Sequence, residues 1–92
     1  MPTRVKAYNF DEGELNTLGY QLLEAKKFKE AIRIFQLNVE NYPQSGNVYD
    51  SLAEAYMDNG DKRLAIDNYQ KSIQLEPSNK NAVEMLKKLT AP

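Results

Sequence analysis

The residues of this 92-residue chain whose types could do chemistry are four serines, a lysine cluster and a run of carboxylates. Ser45, Ser51, Ser72 and Ser78 would need a base to activate them, and the sequence contains no histidine. None of them sits in the G-x-S-x-G turn of a hydrolase nucleophile. Cysteine is absent as well, which excludes disulfides, thiolate nucleophiles and cysteine-based zinc sites. Asp58-Asn59-Gly60-Asp61 looks like the opening of a calcium loop, but the later ligand spacing and the distal glutamate are missing. It reads as a turn. Lys26, Lys27 and Lys29 flank Phe28 and could touch phosphate, yet a solvated helix face explains them better given the neutral overall balance. There is no P-loop and no dinucleotide fingerprint. The expectation is therefore a chain that is not an enzyme, without cofactor or metal, since nothing supplies a base near pH 7.

What remains is a surface. Asp50, Glu54, Met57 and Asp58 fall at i, i+4, i+7 and i+8, which places them on one stripe of a helix. Twelve Lys and Arg against thirteen Asp and Glu give a net charge of −1, which offers no general attraction to nucleic acid or anionic membranes. No apolar run nears the roughly 20 residues that span a bilayer. The opening MPTRVKAYNF lacks the apolar core of a secretory signal. A free-standing chain would thus be expected in the cytoplasm; a piece of a larger protein would carry no such expectation.

The elements that must carry this stripe follow from an internal repeat. Sliding the sequence by 34 residues lays Leu18 on Leu52, Gly19 on Ala53, Ala31 on Ala65, Phe35 on Tyr69 and Pro43 on Pro77. Within each unit the apolar residues recur at three- and four-residue steps: Leu15, Leu18, Leu22 and Leu23, then Phe28, Ala31, Ile32, Phe35 and Val39. The second unit repeats the pattern with Val48, Tyr49, Leu52, Ala53 and Tyr56, then Leu64, Ala65, Ile66, Tyr69 and Ile73. Asp11 with Glu14 three residues on reads as a capping box. Gly60 can take the left-handed C-cap conformation, and Pro43 and Pro77 end helices. The predicted helices are 11–25, 28–41, 46–58 and 62–75. Gly19 should face Ala31 where two helices approach closely, as Ala53 should face Ala65.

The spacing L-x2-L-G-x2-L, A-x3-F and a closing P in the first unit resembles the tetratricopeptide repeat, and Y-x2-L-A-x2-Y, A-x3-Y and P in the second resembles it more closely. Tryptophan is missing at the first position, and Asn38 and Ser72 stand where that family usually has alanine. The resemblance implies an all-α fold, a right-handed superhelical stack of antiparallel helix pairs. The divisions expected are a lead-in at 1–10, one unit at 11–45, a second at 46–79 and a capping helix at 80–90. Val83, Leu86 and Leu89 give that last helix an apolar stripe, and Lys87 at the station of Gly19 and Ala53 prepares no further partner.

The resemblance also implies a concave face lined by the first helix of each unit, and places Asn16, Tyr20, Leu23, Glu24, Asn47, Asp50, Ser51, Glu54, Met57 and Asp58 there, followed by Asn81, Glu84 and Lys88 of the cap. Such a face, with its carboxylates, an exposed Tyr20 and a flexible Met57, would suit a peptide or protein segment with basic and apolar residues. A plain solvated helix face would show similar residues. One branch of the family grips acidic chaperone tails with cationic side chains; the matching Asn16, Tyr20, Ser51, Asn81 and Met85 supply no positive charge, so no such binding is expected. Three readings stay open: a protein-binding scaffold, an accessory module of a larger protein, and a self-associating unit such as a homodimer. For the second, the run resembles repeats appended to bacterial serine hydrolases of the β-lactamase-related and esterase kinds.

Overall fold

The computed structural model describes residues 10–92, so the expected lead-in, with Val5 and Tyr8, lies outside the described residues apart from Phe10. Five helices follow in order: α1 Glu12–Glu24, α2 Phe28–Asn41, α3 Gly46–Asp58, α4 Lys62–Leu75 and α5 Lys80–Thr90. Each packs on the next, and there is no strand among the described residues.

Local chemistry sets the helix ends. Asp11 accepts the Glu14 amide at 2.7 Å while its own amide donates to Glu14 Oε1 at 3.0 Å, so two otherwise unpaired amides are satisfied at the start of α1. At the close of α3 the Gly60 and Asp61 amides donate back to the Met57 and Tyr56 carbonyls at 3.0 and 2.8 Å. This is a Schellman motif with Gly60 at φ 90°. The same motif closes α1, where Lys26 and Lys27 donate to Leu23 and Leu22 at 2.9 and 2.8 Å. There the left-handed station, 34 residues before Gly60, is held by Lys26 at φ 61°.

Two apolar clusters hold the stack together. Leu23, Ala31, Ile32, Phe35, Leu52 and Ala55 form the first, and Ala53, Ala65, Tyr69 and Ala82 form the second. Tyr56 packs against both and joins them. Burying a side chain such as Phe35 contributes about 1.5–3 kcal/mol, so these few residues carry much of the stability of so small a fold. Where Ala31 is expected to face Gly19, the nearest neighbour is Phe35 instead. Its ring occupies the space a β-carbon would need. Phe35 in turn meets Tyr20 edge-on at 5.2 Å.

Asn38 and Ser72 are both fully buried, and they do the same work in their two units. Asn38 Nδ2 donates to the Glu12 carbonyl at 3.0 Å, and Ser72 Oγ to the Gly46 carbonyl at 2.8 Å. Each pins the first residue of its unit's first helix to the second helix. Gly46 permits the approach, since a β-carbon there would lie 2.6 Å from Glu76 Oε1 and 2.9 Å from the Ser72 carbonyl oxygen.

Two leucines of the expected apolar stripes are exposed. Leu18 is 40% exposed while its counterpart Leu52 is 5% exposed, because Leu52 packs on α2 and no described element covers that side of α1. Leu64 is exposed too; it lies one residue off the Ala65–Tyr69 stripe that meets α3 and α5.

Candidate peptide-binding face

A polar seam crosses the first helices of the two units and ends on α5. Asn16 and Tyr20 lie one turn apart on α1, and Asp50, Ser51 and Glu54 occupy the facing side of α3. Ser51 Oγ donates to Asn16 Oδ1 at 2.6 Å. The Tyr20 hydroxyl lies 3.0 Å from Glu54 Oε1 and 3.2 Å from Ser51 Oγ. Farther along, Asn81 Nδ2 donates to Asp50 Oδ1 at 2.9 Å and Asn79 Nδ2 to Asp50 Oδ2 at 3.0 Å. Asn79 also caps α5 by accepting the Ala82 amide, and its Nδ2 lies 3.0 Å from Ser72 Oγ.

Carboxylates dominate the charge on this face. Burial pushes the Glu54 carboxyl above its ordinary value; the Tyr20 hydroxyl pulls it back, and the charges of Asp58 and Asp50 raise it further. Burial likewise raises the Tyr20 phenol, with Ser51 opposing and Glu54 and Asp50 adding to the rise. Tyr69, on α4, is raised by burial and then by Asp50, Glu54, Tyr20 and Asp58. Asp50 and Asp58 are thus close enough to act on Glu54, and all three carboxylates are felt across the α3–α4 packing. No cation among the described residues contributes to the Glu54 balance.

The expected site residues fall into three groups. Asn47 and Asp58 are exposed, and Asn16, Asp50, Glu54 and Met57 are half-buried. Leu23 is not on the surface: it is buried between α1 and α2 in the first apolar cluster, since it lies four residues from Gly19 on the same helix face. Tyr20, expected to be exposed, is half-buried and fixed by Phe35, Ser51 and Glu54. Met57 also packs partly into the second cluster. Sequence reasoning missed the role of Asn79. The available signal was its place just before α5, where an asparagine caps a helix well.

No group of carboxylates, histidines or cysteines suited to holding a metal ion occurs among the described residues. No helix among them is long and apolar enough to cross a membrane. The architecture is a helical repeat stack with a polar seam between units. A tetratricopeptide repeat model matches residues 46–79, and a second model of that repeat matches residues 17–45. No curated protein matches the chain. The chain belongs to the tetratricopeptide repeat family, whose units generally serve as protein–protein interaction modules.

Proposed function

We propose that the chain is a non-catalytic interaction scaffold whose α1–α3 face, the concave face of its family, receives a peptide or protein segment bearing basic and apolar side chains. The observation that supports this is the stripe of Asp50, Glu54 and Asp58 beside Met57, in which the Glu54 carboxyl is raised by burial and then by its two neighbours, with no cation among the described residues relieving it. A lysine or arginine of a partner would relieve that repulsion, and Met57 offers an adaptable apolar contact. Acidic chaperone tails are not expected ligands, since Asn16, Tyr20 and Ser51 are engaged with one another and bring no positive charge.

The test is calorimetry with two peptides of equal length, one basic and apolar, the other acidic and apolar. The basic peptide should bind more tightly, with an affinity that falls as salt rises. Asp58→Lys is the informative variant, because Asp58 is exposed while Asp50 and Glu54 hold the fold together. It should weaken basic-peptide binding about 10-fold and flatten the salt dependence. Equal binding of the acidic peptide would sink the proposal.

A further inference from the structure

Three polar links tie α1 to α3: Asn16 Oδ1 to Ser51 Oγ at 2.6 Å, Ser51 Oγ to the Tyr20 hydroxyl at 3.2 Å, and that hydroxyl to Glu54 Oε1 at 3.0 Å. Each link needs one hydrogen. Each hydroxyl has one to give, the Asn16 carbonyl oxygen has none, and an ionised carboxylate has none. With Glu54 ionised, two hydrogens therefore serve three links. Ser51 spends its hydrogen on Asn16, the shortest link, and Tyr20 spends its own on the charge of Glu54. The longest link, between Ser51 and Tyr20, is left with lone pairs facing each other. A proton on Glu54 is the missing hydrogen: Glu54 donates to Tyr20, Tyr20 turns to Ser51, and Ser51 keeps Asn16.

We propose that Glu54 is a proton-operated clasp between the two repeat units, whose protonation completes the hydrogen-bond chain to Asn16 and removes one negative charge from the face. The seam tightens as the face becomes less attractive to a cation. The groups acting on Glu54 are Asp50 and Asp58 on its own helix and Tyr20 on α1, and Tyr69 on α4 feels its charge; none on α2 or α5 does so among the described residues. Asp50 and Asp58 push in the same direction as the missing hydrogen, so the two causes must be separated by experiment.

Ser51→Ala separates them. Without the serine hydroxyl, Tyr20 serves an ionised Glu54 with no link left unfilled, so protonation gains no bond. Carboxyl-carbon NMR titration of the folded chain should then show the Glu54 midpoint fall by about half a pH unit or more relative to the parent, the worth of one net hydrogen bond. Asn16→Ala, at a half-exposed position, should act in the same direction, because Ser51 is then free to donate to Tyr20; it carries the test should Ser51→Ala not fold. A midpoint that stays or rises in a folded variant overturns the clasp. Burial and repulsion would then account for the shift alone, or Asn16 would be turning its amide nitrogen toward Ser51 and filling the link without a proton. The outcome does not depend on what binds the face.

Discussion

Lys26 and Gly60 occupy the same station of their two units, and only one of them suits it. A residue with a β-carbon in the left-handed region carries a cost that glycine escapes. Lys26→Gly should therefore stabilise the fold by about 1 kcal/mol, read as a higher urea midpoint with an unchanged slope. Ser72 is the reverse case. It is buried, donates to Gly46 and meets the Asn79 amide, so Ser72→Ala should cost about 1–2 kcal/mol in the same measurement. Asn38, at the Ser72 station of the first unit, leaves its Oδ1 without a partner. The donor that the second unit supplies from Asn79 is replaced there by Ser45, whose hydroxyl goes to Glu12 Oε2 at 2.7 Å instead. In the sequence Asn38 and Ser72 stand out only as departures from alanine. Their task depends on a carbonyl 26 residues away, a separation at which local spacing carries no information.

The helices themselves are legible because their signals are local: the Asp11–Glu14 box, Gly60, the two prolines and the 3.6-residue period. The face is harder to read because its partners join different helices. Tyr20 reads as an exposed aromatic until Glu54, 34 residues on, is seen to hold it. Leu23 is misplaced for a related reason: the same helix face serves both the groove edge and the α1–α2 packing. Two element-level predictions follow from contacts already described. Gly19→Leu should drive α1 from α2 because Phe35 fills the space, at a cost of about 3 kcal/mol, seen as a lowered thermal midpoint. Asp50→Ala should free the N-terminus of α5 from α3. Amide exchange in the first turn of α5 should then quicken by about 10-fold, the worth of one hydrogen bond to a charged group, while α1 and α2 are unaffected.

For the molecule as a whole, the two flanks of the stack differ in what they present. Glu14 and Gln21 on α1 stand at the stations of Val48 and Ala55, both fully buried on α3. A second copy stacking on α1 would have to bury the Gln21 amide and a Glu14 carboxylate that the Asp11 amide compensates only in part, which is costly. Sedimentation should accordingly show no self-association through this flank, and a dimer lost on Leu18→Lys would contradict that expectation. Alkaline pH acts on the whole fold through Tyr20 and Tyr69. Their phenols are raised above 10.0 in the folded chain, so the folded state holds these protons more tightly than the unfolded state does. The contribution of these two phenols is level below about pH 10 and is lost as pH rises beyond it, as the unfolded phenols ionise first. A urea midpoint that stays flat into that range would show that the two phenols are not held this way.

Asp50 belongs both to the face proposed to receive a guest and to the fastening of α5, and the two uses would compete. A guest that draws on Asp50 must take it from Asn79 and Asn81, so part of its binding energy goes into unfastening the last helix. The coupling is reciprocal: whatever loosens α5 makes Asp50 easier to take. Replacing both asparagines with alanine should thus weaken the fold yet raise the affinity for a guest that contacts Asp50. In that case the C-terminal helix acts as a competitor built into the chain.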